Sequence, residues 1–169
     1  MVKDVEVISQ LMKISANSAP RAEGTEIEVE ILDESEKEMV IEEMFQLADE
    51  LNEESYREGG EMLESSEGLM IIGLNKKNTL KLDCRACGFE SCDDLLDSEC
   101  EGIFQGPNCA YRLIDMGIAL GYAIKTAKLH NMDGKIMVRA GLAAKNLGLS
   151  DARVCMGVPI FSDLNEGYI

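Results

Sequence analysis

The amino-acid sequence predicts one α+β domain that carries an inserted cysteine-rich loop. Stretches in which apolar residues recur at helical spacing are interspersed with stretches of strand character. The 169 residues are enough for one hydrophobic core, and a second full core is not expected at this length. Residues 83–109 contain five of the six cysteines and show no assignable period. We therefore expect a single domain over residues 1–169 with an insert at 83–109.

The first part of the chain is predicted to fold as a helix, a strand and a second helix. Apolar residues recur at helical spacing at positions 5–12, and a loop is expected at residues 15–24. Charged and branched apolar residues alternate at positions 26–31, which is typical of a strand with one face in water. Ser35 and Glu38 have the spacing of a capping box for the next helix. Its apolar stripe comprises Val40, Ile41, Met44, Phe45, Leu47, Ala48 and Leu51.

A short helix at about residues 55–63 and an apolar strand come next. The run from Gly68 to Leu74 contains no charged or polar side chain. Because a strand with one solvated face alternates between apolar and polar residues, an unbroken apolar run of this length is expected to be buried on both faces. The sequence therefore predicts a core strand at residues 68–74.

After the cysteine-rich stretch, the sequence predicts two helices and a final strand. Asn108 is suited to cap a long helix that ends near His130, and a second helix is expected from about Met132 to Leu147. Residues 152–158 have strand character. Pro159 is expected to end this strand because proline has no backbone N–H to donate.

The charge of the chain argues against several classes of partner. The formal net charge is −16, and residues 23–67, with 18 acids and two bases, account for all of it. Phosphate backbones and anionic membrane surfaces attract clustered Lys and Arg, so neither nucleic acid nor a membrane is expected as a partner. We interpret the acidic region as a solvated surface.

Two further observations indicate a cytoplasmic protein. The first residues show no basic leader followed by an apolar core, the pattern of a secretory signal. The apolar segment at 114–129 is too short to span a bilayer, and Asp115 and Lys125 interrupt it. In a reducing compartment, cysteines serve more often as metal ligands or buried thiols than as disulfides.

The spacing of four cysteines is the strongest functional signal. Cys84, Cys87, Cys92 and Cys109 follow the pattern C-x2-C-x4-C-x16-C. A [4Fe–4S] cluster needs four thiolates that converge on one small core, and this spacing supplies three from a compact loop and one from a more distant segment. Cys109, near a predicted helix start, places a thiolate where the helix dipole favours negative charge. We interpret these four residues as the ligands of one [4Fe–4S] cluster.

Two alternatives remain open from the residues alone. A structural zinc site also uses four cysteines, although such sites usually present two close pairs and only Cys84 and Cys87 form one here. Cys100 is the second choice for the fourth ligand, in place of Cys109, but no helix start lies beside it. Cys155, on the last predicted strand, is interpreted as a buried thiol.

Charged residues in this half of the chain lead to two expectations. Seven acids and one base, Arg85, give residues 83–109 a net charge of −6. Because fixed negative charge near a cluster disfavours the addition of an electron, we expect a low reduction potential.

Asp115 lies in an otherwise apolar helix and is expected to need a partner, for which Arg112 and Lys125 are the candidates.

The segment Cys84-Arg-Ala-Cys-Gly-Phe-Glu-Ser-Cys92, followed by Gly106-Pro-Asn-Cys109, resembles a known cluster motif. The motif occurs in electron-transfer subunits of membrane redox complexes and in corrinoid iron–sulfur proteins. Together with residues 114–127 and Gly157-Val-Pro159, it makes nearly the whole chain similar to the uncharacterised ferredoxin domain-containing protein family. The resemblance implies an iron–sulfur protein.

The order of the predicted elements resembles the fold of flavin nitroreductases. Ala19-Pro-Arg21 follows the first helix, and a buried strand at 69–74 precedes a helix rich in small residues. The resemblance implies a mixed sheet packed against helices, commonly as a homodimer whose interface holds FMN. It also implies Arg21 as the cation for the FMN phosphate, with Gly117 and Gly121 allowing the flavin ring or a partner helix to approach.

The sequence therefore supports three functions. The first is an iron–sulfur protein that exchanges electrons with a redox partner protein or a flavin. The second is an FMN-dependent reductase, an oxidoreductase in which the cluster feeds the flavin. The third is a structural zinc protein that acts by binding another macromolecule.

Overall fold

The computed structural model describes residues 4–162, which form a four-stranded sheet and the helices that cover it. The helices are α1 (Asp4–Ser18), α2 (Glu34–Leu51), α3 (Glu54–Glu64), α4 (Cys92–Asp97), α5 (Ala110–Leu129) and α6 (Val138–Asn146). The strands are β1 (Ile27–Leu32), β2 (Gly68–Leu74), β3 (Met132–Gly134) and β4 (Val154–Ser162). The fold is α+β, as the sequence predicts. No helix in this part of the chain has both the length and the hydropathy of a membrane span.

The strands lie in the order β1-β2-β4-β3, and each adjacent pair is antiparallel. The predicted sheet is mixed, with both parallel and antiparallel pairs of strands, whereas all three strand pairs among the described residues are antiparallel. The connection between β1 and β2 shows why. It consists of two helices, α2 and α3, which pack against each other. When each element turns back on the one before it, two helices between two strands give three reversals of the chain, so β2 returns antiparallel to β1.

The strand β2 lies at the centre of the core, as its apolar sequence predicts. Its residues from Leu69 to Leu74 are all buried. Met70, Ile72 and Leu74 belong to the core beneath α1 and α5, whereas Leu69 and Ile71 belong to the core beneath α2, α3 and α6. The sheet is thus covered by helices on both faces, which explains why β2 has no polar side.

The helix α6 approaches β4 closely at Gly141. A Cβ atom at this position would lie 2.2 Å from the backbone oxygen of Cys155. Only glycine therefore allows the contact. The approach leaves Cys155 with no exposed surface, in agreement with the buried thiol expected from the sequence.

The start of α2 differs from the prediction. The N-cap is Asp33, whose side chain accepts a hydrogen bond from the backbone N–H of Glu36, while the Glu36 side chain accepts one from the N–H of Asp33. The capping box predicted for Ser35 and Glu38 is therefore wrong, since the box lies two residues earlier. The Ser35 hydroxyl instead donates to Asp33. Aspartate and serine are equally good caps, and the sequence offers both at the required spacing.

Two predicted boundaries in the second half also need correction. The N-cap of α5 is Cys109 and not Asn108, whose side-chain amide donates to the carbonyl oxygen of Gln105. Met132 begins β3 rather than a helix, and α6 begins only at Val138. The three residues of β3 are too few to show a strand period in the sequence, so they were merged with the helical pattern that follows.

The strand β4 continues through Pro159, so the prediction that this proline ends the strand is wrong. Gly157 exchanges two backbone hydrogen bonds with Met137, and Phe161 pairs with Asp133 in β3. Because alternate residues of a strand direct their backbone groups to the same side, Pro159 faces the interval between these two pairings. Its missing N–H lies at a break in the ladder.

Candidate metal centre

The segment between β2 and α5 brings the four predicted ligands to one pocket. The pocket wall includes Cys84, Cys87, Cys92 and Cys109, which surround a small cavity of about 10 Å³. Cys109 is buried, Cys87 and Cys92 are half-buried, and Cys84 is exposed. The thiols surround the pocket without meeting at a point. Within residues 4–162, no three Cys, His, Asp or Glu side chains are gathered closely enough to hold a single metal ion.

The loop with the first two cysteines has an unusual backbone. Lys81, Asp83 and Arg85 have φ values of 55°, 45° and 59°, and Gly88 follows at 87°. Left-handed residues that alternate with ordinary ones turn successive N–H groups toward one side, an arrangement that binds anions. Each non-glycine residue in this region costs about 1–3 kcal/mol, so other contacts must fix the loop. One of them is the hydrogen bond from the N–H of Cys92 to Asp83, at 2.7 Å.

Two of the four thiols lie at helix starts. Cys92 is the first residue of α4, and Cys109 is the N-cap of α5. The start of α4 is fixed by a capping box in which Ser91 and Asp94 accept hydrogen bonds from each other's backbone N–H groups. The start of a helix carries partial positive charge, which attracts an anionic core held by thiolates. The sequence predicted this placement for Cys109.

Cys100 is not among the residues that line the pocket. Its backbone exchanges two hydrogen bonds of 2.9 Å with Gly106. Its sulfur lies over that glycine, 2.7 Å from the position that a Cβ atom would occupy. Cys100 therefore closes the loop at 100–106, and the structure separates it from the four cysteines of the pocket.

Three cations lie behind the cysteine loop on the side of the core. Arg112 is 3% exposed, and the side chains of Lys77 and Arg153 are each 14% exposed. The Arg112 guanidinium donates to the carbonyl oxygen of Thr79, a residue of the pocket wall, at 3.0 Å. Arg153 Nε donates to the side chain of Asn108, which directly precedes the last predicted ligand, at 3.4 Å. We call Lys77, Arg112 and Arg153 the inner cations.

One acid of the loop, Glu99, contacts two of the inner cations. Its carboxylate accepts a hydrogen bond of 2.8 Å from Lys77 and lies 3.6 Å from Arg153. The hydrogen bond from Lys77 is the main cause that lowers the pKa of Glu99 below its ordinary value, and the charges of both cations add to the shift. Glu99 therefore stays ionised and ties the loop to the body of the protein.

The partner of Asp115 is also found here. The Thr25 hydroxyl accepts a hydrogen bond from Arg112 and donates one to Asp115, and both charged side chains are buried. Asp115 accepts a second hydrogen bond from the N–H of Ala22 at 3.2 Å. The predicted partner Arg112 thus acts through Thr25, whereas Lys125 is exposed on another face of α5. The network holds the loop after α1 against α5.

The residues predicted for FMN border the same helix. Arg21 is exposed, and its guanidinium donates to the carbonyl oxygen of Asn17 at 2.9 Å. Gly117 and Gly121 lie on the exposed face of α5, where an added Cβ atom meets nothing within 4 Å. The structure thus leaves room above both glycines for a flavin ring or a partner helix. Arg21 is the cation among the three residues predicted to bind FMN.

Sequence reasoning did not identify the inner cations as part of the site. They come from the segment after β2, the first turn of α5 and the residue before β4. Single cations so far apart form no motif. The one local signal is the position of Arg112 three residues after Cys109, which places both on the same side of α5.

Sequence comparison links the chain to proteins without a known function. The sequence profile of a family described as "uncharacterized protein containing a ferredoxin domain (DUF2148)" matches residues 105–166. This range includes Cys109, while the other three predicted ligands precede it. An uncharacterized protein from Archaeoglobus fulgidus is 39% identical over 158 residues, which cover 92% of this chain and 85% of that protein.

Three solved structures with a similar fold are oxidoreductases. Nitroreductase A from Vibrio parahaemolyticus has a TM-score of 0.53 and 11% identity, over 99% of this chain and 62% of its own. An oxidoreductase containing FMN has a TM-score of 0.56 and 15% identity, over 96% and 67%. The hypothetical oxidoreductase YcnD from Bacillus subtilis has a TM-score of 0.54 and 17% identity, over 97% and 59%. The fold is nitroreductase-like, as predicted, and the chain spans about three fifths of the length of the nitroreductase.

Proposed function

Because the chain belongs to the family of uncharacterized proteins that contain a ferredoxin domain, we propose that it is an iron–sulfur electron-transfer protein. It holds one [4Fe–4S] cluster on Cys84, Cys87, Cys92 and Cys109. The observation that carries this proposal is the pocket whose wall includes all four thiols. Four cysteine thiolates are the ligands of such a cluster, which matches the donors of the pocket.

The spacing of the cysteines favours a cluster over a single zinc ion. Structural zinc sites usually present two close pairs of cysteines, whereas only Cys84 and Cys87 form such a pair here. Three ligands from one compact loop and a fourth from a distant helix start are the arrangement that a cluster needs.

When bound, the cluster supplies the redox chemistry by accepting and releasing one electron, and no covalent bond of the protein is made or broken. The chain supplies attachment and environment. The loop from Lys81 to Gly88 surrounds the outer side with its backbone, and the start of α5 holds Cys109 in the interior. Leu95, which is 1% exposed, closes the inner wall beneath α4.

Electrons enter and leave on the exposed side of the pocket, at Cys84. The donor and the acceptor are a redox partner protein or a flavin that approaches this side. The compartment in this proposal is a reducing one, the cytoplasm, where cysteines serve more often as metal ligands or buried thiols than as disulfides. Nucleic acid and anionic membranes are not partners in this proposal, since the net charge of −16 repels them.

A reductive titration of protein purified without oxygen tests this function. Dithionite is added stepwise while visible absorption and the EPR spectrum are recorded. We expect uptake of about one electron per chain, bleaching of a broad visible absorption, and a paramagnetic signal that disappears on reoxidation. A protein that takes up no electron contradicts the proposal.

A second candidate function is an FMN-dependent reductase that the cluster feeds. It is supported by the nitroreductase-like fold, since one similar structure is described as an oxidoreductase containing FMN. Arg21, Gly117 and Gly121 are the residues assigned to the flavin. Flavin fluorescence released on denaturation tests this candidate. FMN equimolar with the chain, and its loss in Arg21→Gln, support the candidate, whereas protein that neither contains nor binds FMN contradicts it.

The proposal includes a homodimer that forms through α1 and α5. These helices lie side by side, and the Ser15 hydroxyl donates to the carbonyl oxygen of Tyr122. Their outer surfaces expose large apolar side chains, namely Val7, Ile14, Ile114, Tyr122 and Leu129. Gly117 and Gly121 lie on the exposed face of α5 and leave room for the backbone of a partner helix.

A further inference from the structure

We propose that the inner cations, Lys77, Arg112 and Arg153, set the reduction potential of the cluster and hold it above the value that the acidic loop alone would give. This inference rests on the proposed function, because it concerns the cluster on the four cysteines. It revises the expectation of a low potential that follows from the charge of −6 in residues 83–109.

Arg112 is connected to the pocket by one hydrogen bond. Its Nη2 donates to the carbonyl oxygen of Thr79 in the pocket wall at 3.0 Å. Its Nη1 donates to the carbonyl oxygen of Glu23 at 2.9 Å, so the guanidinium is fixed from two sides. Its Nε has no hydrogen-bond partner among residues 4–162. Because Arg112 is 3% exposed, solvent and salt screen its charge little.

Arg153 and Lys77 reach the loop from two other elements. Arg153 Nε contacts Asn108 at 3.4 Å, and its Nη2 forms no hydrogen bond within the described part of the chain. Lys77 donates to Glu99 at 2.8 Å and to the carbonyl oxygen of Ser98. Glu99 lies 3.6 Å from Arg153 as well. Two cations therefore share one carboxylate, which leaves this group with a net positive charge.

Asp83 lines the pocket and accepts a hydrogen bond from the N–H of Cys92, whereas the remaining five acids of the loop lie in solvent. Asp93, Asp94 and Asp97 are on the exposed side of α4, and Glu90 and Glu101 are exposed too. Water weakens the interactions of exposed charges, and salt largely screens them beyond about 8–10 Å. The loop charge of −6 therefore overstates the negative field at the cluster, whereas the inner cations keep most of their effect.

The sign of the effect follows from the charge that reduction adds. The cluster gains one negative charge when it accepts an electron, so nearby positive charge stabilises the reduced form more than the oxidised form. Asp115 is the buried acid that faces this group, through Thr25. The three inner cations offset three acids, Asp115, Glu99 and the pocket residue Asp83, so the loss of one cation leaves a net negative charge beside the site.

The midpoint potential of the cluster, measured by EPR-monitored redox titration of oxygen-free protein, tests this inference. Arg153→Gln removes a charge from a side chain that contacts no ligand cysteine. We expect it to keep its iron and sulfide and to show a more negative potential, equivalent to a loss of about fivefold or more in the equilibrium constant for reduction. Lys77→Gln is a second variant with the same expected direction.

Two matched variants separate charge from structure. Arg153→Lys keeps the charge and is expected to keep the potential close to that of the wild type, which a loss of packing alone would not allow. Asp97→Asn removes an exposed acid from α4. Its potential is expected to shift in the opposite direction and by less than that of Arg153→Gln, because water screens this acid.

Several results would overturn the inference. An unchanged potential in Arg153→Gln at equal cluster content removes the role of the inner cations and leaves the proposed function intact. A shift of the potential that is larger in Asp97→Asn than in Arg153→Gln also removes the role of the inner cations and leaves the proposed function intact. Loss of the cluster from both glutamine variants assigns the cations to assembly rather than to the potential. Wild-type protein without iron and sulfide shows that this inference and the proposed function are both wrong.

Discussion

Cys109 and Cys100 are nine residues apart in the sequence, and each could supply a fourth thiolate after Cys84, Cys87 and Cys92. The fold gives them different surroundings. Cys109 is buried in the pocket wall at the start of α5, whereas Cys100 is exposed and its sulfur lies over Gly106. Replacing each of these two cysteines alone therefore tests which of them is the fourth ligand.

Cys109→Ser is expected to lower the iron and sulfide content of oxygen-free protein to about half or less, because a serine hydroxyl replaces a thiolate ligand. Cys100→Ser is the matched control and should retain the full content. Colorimetric iron and sulfide analysis with visible absorption measures both variants. Full content in Cys109→Ser together with loss in Cys100→Ser would show that the fourth ligand is wrongly assigned.

Cys155 should give the stability of the fold a pH dependence. Burial raises the pKa of its thiol from 9.0 to about 11. The unfolded chain loses this proton first, so the contribution of the group to stability is intact below pH 9 and is lost as the pH rises toward 11. The expected loss is on the order of 2 kcal/mol.

Urea unfolding at about pH 8 and about pH 10.5 measures this effect, since the denaturation midpoint reports the change in stability. Cys155→Ala has no thiol to ionise, so its free energy of unfolding should fall less over this range than that of the wild type. An equal fall in both proteins would contradict the assignment of the pH dependence to Cys155.

At the residue scale, the sequence predicted the cysteines of the pocket because their spacing is local. It did not predict the inner cations, because tertiary contacts with Glu99 and Asn108, and not sequence position, bring Lys77 and Arg153 to the site. The sequence predicted the interaction of Asp115 only in part. The need for a partner was evident from the apolar helix, but the Thr25 hydroxyl between Asp115 and Arg112 depends on a loop 90 residues away.

The helix α2 allows a test at the scale of an element. Two candidate capping boxes overlap at its start, and the structure uses the one formed by Asp33 and Glu36. The backbone N–H of Glu36 is the main cause that lowers the pKa of Asp33. The ionised form is thus favoured in the folded state, so its stabilisation is present above about pH 4 and is lost as the pH falls further.

Asp33→Ala is expected to lower the melting temperature more than Ser35→Ala does, because it removes the acceptor for the N–H of Glu36. Thermal unfolding at neutral pH compares the two variants. The difference between Asp33→Ala and the wild type should shrink as the pH falls below the ordinary pKa of aspartate, because the stabilisation by the ionised Asp33 is lost in that range. A greater loss in Ser35→Ala would favour the box that the sequence first indicated.

The elements that sequence predicted well are those with a long, uniform pattern. The core strand β2 was identified because seven apolar residues cannot have a solvated side. The short strand β3 and the continuation of β4 past Pro159 were missed. β3 depends on the pairing of residues 132–134 with residues 160–162, and β4 continues because Pro159 and Ile160 also pair with β2. These contacts join segments that carry no matching local signal.

At the scale of the whole molecule, the proposed dimer predicts the behaviour of Gly121→Arg. An added Cβ atom meets nothing within 4 Å in the single chain, and replacing a helical glycine is expected to stabilise the helix by about 0.5–1 kcal/mol. We therefore expect a monomer that melts no lower than the wild type. Sedimentation velocity measures the mass.

The control for this prediction is Gln46→Arg, which adds the same charge on the exposed side of α2, in the opposite helix layer. It should remain a dimer. If Gly121→Arg keeps the mass of a dimer, the interface lies elsewhere on the molecule. If the wild-type protein already sediments as a monomer, the proposed dimer is wrong.

The content of metal and inorganic sulfide in protein purified without oxygen tests the central claim most directly, because it distinguishes a cluster from a single ion in one measurement. With the four thiols of the pocket as ligands, we predict about four irons and four sulfides per chain, in a brown protein. One zinc per chain in a colourless protein, with no sulfide, would contradict the claim.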